Sequence, residues 1–142
     1  MKRPQISITT AFDYSVPIET QIPLVAEAGF SHLSLGGDTD HSGYLSDAGR
    51  GRLKAMLSQA DLSVDTIHGP RAGLDDSLER LTAVAMAAAD LQAPIVVVHP
   101  SPFEFDESQL RGRLDTALRI CRKLVPVAAE TGVVFAVENM LP

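Results

Sequence analysis

Five short runs of β-branched and apolar residues recur along the chain at near-constant spacing: Gln5 to Thr10, His32 to Leu35, Ser63 to His68, Ile95 to His99, and Val133 to Glu138. Runs of this length and composition read as strands. The interval between them, about thirty residues, is the length of one strand plus one helix with their turns. The fourth run, Ile95-Val96-Val97-Val98, is continuously apolar rather than alternating. A parallel strand covered on both faces needs that pattern.

Helix signals fill the intervals. Ser15 and Pro17 give an N-cap and a first-turn proline, and Gly29 takes the place of a residue just past a helix end. Leu53, Met56, Leu57 and Ala60 follow the i, i+3, i+4, i+7 rule of a helix with one buried face. Asp76 and Glu79 have capping-box spacing ahead of Leu81, Val84, Ala85 and Ala88. A longer helix starts at Ser108 and carries Leu110, Leu114, Ala117, Leu118, Cys121 and Val125, with Gly132 beyond its end. Pro23 and Pro126 fall inside helical patterns, so a kink or break is expected at each. The segments Gly36 to Gly43 and Pro100 to Glu107 read as loops after strands.

Strict alternation of strand and helix means an α/β fold with parallel strands joined by right-handed crossovers. Two architectures accept it: an open sheet with helices on both faces, or about five β-α units of a (β/α)₈ barrel. Neither Gly36-Gly37 nor Gly49-Arg50-Gly51 makes a G-x-G-x-x-G fingerprint, which weakens the open nucleotide-binding sheet. No linker divides the chain, so residues 1–142 read as a single domain. With 45% hydrophobic residues the chain is not disordered, and 12 Lys+Arg against 18 Asp+Glu leave a net charge of −6. That balance argues against a nucleic-acid or anionic-membrane binder. No apolar run approaches the ~20 residues of a membrane span. Cys121 is the single cysteine, so a reducing, cytoplasmic setting is expected.

In both architectures ligands gather at the carboxyl ends of the strands. Three consecutive strands end in a possible metal ligand: His68 before Gly69, His99 before Pro100, and Glu138 before Asn139. Two histidines and a carboxylate suit a divalent ion. Any one of them alone is explained as well by a hydrogen bond to a loop or a helix cap. Their recurrence at one structural position on three successive strands favours a site.

Four stretches, Ala26 to Gly37 (AEAGFSHLSLGG), Ser63 to His68 (SVDTIH), Ala93 to Pro100 (APIVVVHP) and Glu130 to Asn139 (ETGVVFAVEN), carry a resemblance to the xylose isomerase-like TIM-barrel superfamily. That superfamily includes sugar and sugar-phosphate isomerases and epimerases as well as apurinic/apyrimidinic endonucleases. The resemblance covers the first five of the family's eight strands and implies the N-terminal portion of a barrel. It implies that Glu138 is the fifth-strand carboxylate, a metal ligand and one of two proton-shuttling groups. It implies that His68 and His99 are metal ligands, as in the endonuclease branch, or line the substrate pocket with Asn139, as in the sugar branch. The cofactor implied is a divalent ion such as Mn²⁺, Zn²⁺, Mg²⁺ or Co²⁺. Where members often carry Glu at the end of strand two, this chain has Ser34 and Leu35. A polarised carbonyl beside a carboxylate permits proton transfer through an enediolate, the chemistry of a sugar isomerase or epimerase. The alternatives are an apurinic-site phosphodiesterase and a non-catalytic partial barrel that assembles with another chain.

Other signals are weaker. Asp38, Asp40, Ser42 and Gly43 match the first half of a calcium loop, but its twelfth position is Gly49 rather than Glu. Asp38 and His41 nonetheless follow strand two on the active face and are candidate substrate contacts. Arg111, Arg113, Arg119, Arg122 and Lys123 read as a solvated helix face, His32 as a structural residue, and Cys121 as a buried helix residue. Five units of an eight-unit barrel would expose two sheet edges and an apolar inner face. The chain is therefore expected to be a homo-oligomer or to lack a C-terminal half.

Overall fold

The computed structural model describes residues 6–100 and 107–138. Five parallel strands, β1 (Ser7–Thr9), β2 (His32–Leu35), β3 (Ser63–His68), β4 (Ile95–Val98) and β5 (Val134–Val137), form one sheet in the order β1-β2-β3-β4-β5. Between them run α1 (Ile18–Glu27), α2 (Thr39–Ser42), α3 (Asp47–Ala60), α4 (Ser77–Asp90) and α5 (Glu107–Thr131). A doubly wound sheet reverses its strand order at a switch point, whereas this one never does. With right-handed crossovers, unbroken order places all the helices on one face, as in the wall of a (β/α)₈ barrel.

The core lies between sheet and helices. Leu33 and Leu35 of β2, Val64 and Ile67 of β3, and Val96 and Val98 of β4 meet Ile22, Leu53, Leu57, Leu81, Val84, Ile120 and Leu124 from the helices. The alternation of buried and less buried residues along β4 shows that its two apolar faces have different fates, one packed under helices and one turned inward. A register shift between β2 and β3 pairs Leu33 with Val64 but Ser34 with Thr66, leaving Asp65 as the extra residue of a bulge. Thr66 Oγ1 donates to Ser34 Oγ across the two strands. The inner face is thus polar on β2 and β3, where an apolar face was expected, because these hydroxyls satisfy each other.

Several sequence expectations shift at element ends. Pro17, not Ser15, is the N-cap of α1, and Ser15 instead donates from N and Oγ to Asp13 Oδ1 at 2.9 and 2.6 Å. The side chain of Asp76 makes no capping hydrogen bond. The loop after β2 contains a full turn, α2, whose N-cap Asp38 accepts from the backbone of Asp40 and His41. Neither proline breaks its helix: α1 runs through Pro23 and α5 through Pro126. Both prolines are exposed, as are Glu19 and Arg122 four residues earlier, so each carbonyl that loses its N–H partner faces water. The buried stripe of α5 is Ala117, Ile120 and Leu124, while Leu114, Leu118 and Val125 are exposed. Gly29 and Gly132 both take positive φ, 85° and 73°, just past the ends of α1 and α5. No helix among the described residues is long and apolar enough to cross a membrane.

Candidate metal centre and adjoining cavity

Strand register brings the three strand-end candidates together. His68 is the last residue of β3 and pairs with Val97, while Val98 pairs with Val137. His99 and Glu138 therefore stand side by side, each one residue past its strand. The pairing continues into Glu138, whose N–H donates to the Val98 carbonyl at 2.9 Å. On the neighbouring pair, Gly69 N–H donates to the Val97 carbonyl at 2.8 Å. A Cβ on Gly69 would stand 3.0 Å from Leu81 and 3.1 Å from Val96, so only the smallest residue lets the chain turn there without displacing the core.

One ligand atom each from His68, His99 and Glu138 lie within 4.8 Å of one another. His99 Nδ1 is 3.9 Å from Glu138 Oε2, and the two imidazole rings face each other at 5.8 Å between centroids. The side chain of His99 is 14% exposed and that of Glu138 51%, so the cluster has a protected side and an open one. Burial, reinforced by the charge of His99, holds the His68 imidazole below its usual pKa against the opposing pull of Glu138. A neutral imidazole offers its lone pair without first losing a proton. Nitrogen and carboxylate donors at this separation fit a divalent transition ion.

Asp38 and His41 lie elsewhere. Asp38 Oδ1 accepts from the N–H groups of Asp40 and His41 at 3.0 and 3.2 Å, and His41 Nε2 is bonded to the Val16 carbonyl at 2.8 Å. His41 also meets the Tyr14 ring edge-on at 5.3 Å. Asn139 lies outside the described residues.

A cavity of about 610 Å³ opens beside the two histidines at the carboxyl ends of β1 to β4. Thr9, Tyr14, Gly36, His68, Arg71, Arg80 and His99 are among the residues that line it. Tyr14 closes over the end of β2, where a Cβ on Gly36 would collide with its hydroxyl. Tyr14, Arg71 and Arg80 were not singled out from the sequence. The available signals were the position of Arg71, three residues after a strand-end histidine, and a cation placed at the start of a helix.

The profile of the xylose isomerase-like TIM barrel family matches residues 22–142. A search of curated protein sequences finds no match. Among solved structures, the chain is similar to a D-tagatose 3-epimerase-like protein, with a TM-score of 0.78 and 18% identity over 98% of this chain and 54% of that one. It is similar to 3-keto-D-glucoside 4-epimerase from E. coli, with a TM-score of 0.74 and 18% identity over 95% of this chain and 56% of the other. D-Psicose 3-epimerase from Clostridium cellulolyticum H10 matches with a TM-score of 0.69 and 18% identity, over 91% of this chain and 50% of that one. The chain thus spans about half the length of these structures. With its sequential parallel sheet and a family match across most of its length, the chain belongs to the xylose isomerase-like TIM barrel family.

Proposed function

We propose that the chain is the N-terminal portion of a metal-dependent sugar or sugar-phosphate isomerase or epimerase, with residues 1–142 forming a single domain of a cytoplasmic protein. The observation that supports this most is the convergence of His68, His99 and Glu138 at the strand ends. His68, His99 and Glu138 would hold the ion. A bound divalent ion such as Mn²⁺ or Zn²⁺ would polarise a substrate carbonyl and lower the cost of charge developing on its oxygen. Glu138, whose side chain is half exposed, would also accept the proton from the carbon next to the substrate carbonyl. His99, mostly buried, fixes one wall of the pocket and keeps water from that side. Among the described residues one carboxylate joins this cluster, so the second proton-transfer group of such a reaction would come from outside them.

A second reading is supported by the same histidines. Their approach to Glu138 suits the ligand set implied by the endonuclease branch, in which they bind metal rather than line a sugar pocket. The net charge of −6 opposes it.

Calorimetric titration of the purified protein with Mn²⁺ and with Zn²⁺ tests the metal reading. Glu138→Gln is expected to weaken binding by about tenfold or more with the melting temperature unchanged. Equal affinity in the two proteins overturns the ligand assignment. Turnover of ketoses, followed by NMR, against cleavage of an abasic oligonucleotide separates the two reactions.

A further inference from the structure

The long helix α5 carries two apolar stripes, and the fold uses one of them. Ala117, Ile120 and Leu124 are buried against the core, whereas Leu114, Leu118 and Val125 are 44%, 51% and 66% exposed. At 3.6 residues per turn these three fall within ~40° of one another around the helix, so they form a single ridge. Arg111 and Arg122, about three turns apart, lie along its solvent side. Both are exposed, and neither has an ion-pair partner among the described residues.

A groove of about 350 Å³ between α1 and α3, on the helical side of the sheet, has the opposite form and the opposite charge. Ile22, buried in the core, and Ala26 and Met56, packed against that core, give it an apolar floor. Glu19 and Glu27 line its edges about two turns apart on α1, with the exposed Pro23 midway between them. Glu27 has no ion-pair partner among the described residues. Glu19 has Arg52 at 3.5 Å, with both side chains about half exposed, which is a weak tie. Helix α1 carries no basic residue, whereas α5 carries five against three acidic ones, in a chain of net charge −6. The spacings also agree. At 1.5 Å per residue, the two arginines are ~16 Å apart along their helix and the two glutamates ~12 Å along theirs, a difference that long side chains span.

We propose that the α1–α3 groove receives the α5 ridge of a second copy of this chain. Leu114 and Leu118 leave water against Ala26 and Met56, which drives association. Arg111 and Arg122 reach Glu19 and Glu27 at the rim, which sets the register and rejects partners of the wrong charge. The two patches differ, so the contact is head-to-tail, and each copy offers a groove on one side and a ridge on the other. Neither patch includes a residue of the strand-end cluster, so association and metal binding are independent.

Sedimentation velocity of the purified protein, from micromolar to several hundred micromolar, tests this directly. The average mass is expected to rise with concentration, and less steeply as salt is raised. Leu118→Glu is expected to leave a monomer with an unchanged melting temperature. Reversing the ridge (Arg111→Glu with Arg122→Glu) or the groove (Glu19→Arg with Glu27→Arg) is expected to weaken association about tenfold or more, and mixing the two reversed proteins to restore it. If either double variant fails to fold, Leu118→Glu decides alone, because its side chain is half exposed. A wild type that stays monomeric overturns the interface, as does association that survives Leu118→Glu or fails to return when the folded reversed proteins are mixed. Glu138→Gln is expected to associate as the wild type does, so a failure of the metal reading stays separate from a failure of this one.

Discussion

The imidazoles of His68 and His99 face each other across β3 and β4, with ring centroids 5.8 Å apart and planes inclined at 36°. Two cations at that separation repel, and the burial of His68 adds to the cost of charging it. His68 is thereby held toward its neutral form.

The consequence for pH runs in one direction. The folded-state pKa of His68 lies below its ordinary 6.5, so below that value the unfolded chain binds more protons than the folded one. The contribution of this group to stability is complete above about pH 6.5 and declines as the pH falls toward the folded value. Metal-free protein is expected to show a melting temperature that falls below pH 6.5, with a shallower fall in His68→Gln. Identical slopes in the two proteins, measured by calorimetry in EDTA, would assign the pH response elsewhere.

Tyr44 is fully buried, and its hydroxyl has no hydrogen-bond partner among the described residues. Burial is the main reason its pKa is pushed up to about 12, so the group is neutral at all ordinary pH. A buried donor left unpaired costs about 1–3 kcal/mol. Tyr44→Phe removes the oxygen and keeps the ring, and is expected to raise stability by about 1 kcal/mol in denaturant titration. A loss of stability would show that the hydroxyl has a partner.

Two glycines of α3 should respond in opposite ways to alanine. A Cβ on Gly49 would stand 2.0 Å from the Gly43 carbonyl oxygen and 2.7 Å from its carbon, so backbone must move. Gly49→Ala is expected to cost about 2–3 kcal/mol. A Cβ on Gly51, two residues along, meets nothing within 4 Å. There the gain in helix propensity is expected to stabilise by about 0.5–1 kcal/mol. Chemical denaturation of the two variants checks both signs.

The same contrast shows what the sequence could reveal. The spacing of the β-branched runs was enough to locate five strands, and the residue types at their ends marked His68, His99 and Glu138. Those properties are local, or repeat with a fixed period. Gly49 was unreadable as a packing position because its partner, Gly43, lies across a turn whose geometry depends on α2, and a segment rich in Gly and Asp looked like a plain loop. The exposed Leu114, Leu118 and Val125 were similarly ambiguous. They form a helical stripe of their own beside the buried Ala117, Ile120 and Leu124, and periodicity cannot say which of two adjacent stripes faces the core. Arg71 and Arg80 were missed because they are nine positions apart, and only the loop fastened by Ser77 brings them to one cavity.

The unbroken strand order has a consequence for how the molecule is made. Each strand hydrogen-bonds to the one that precedes it in the chain, so every pairing closes a loop of only one strand-helix unit. None of the pairings in β1 to β5 waits for a distant segment. The wall can grow in the direction of synthesis, each completed strand offering its free edge as the template for the next to emerge. On such a route β1 and β2 are needed by everything that follows, whereas a defect in β5 arises after most of the sheet is in place. Substitutions of equal thermodynamic cost are then unequal for folding yield, and their severity declines from the first unit to the last.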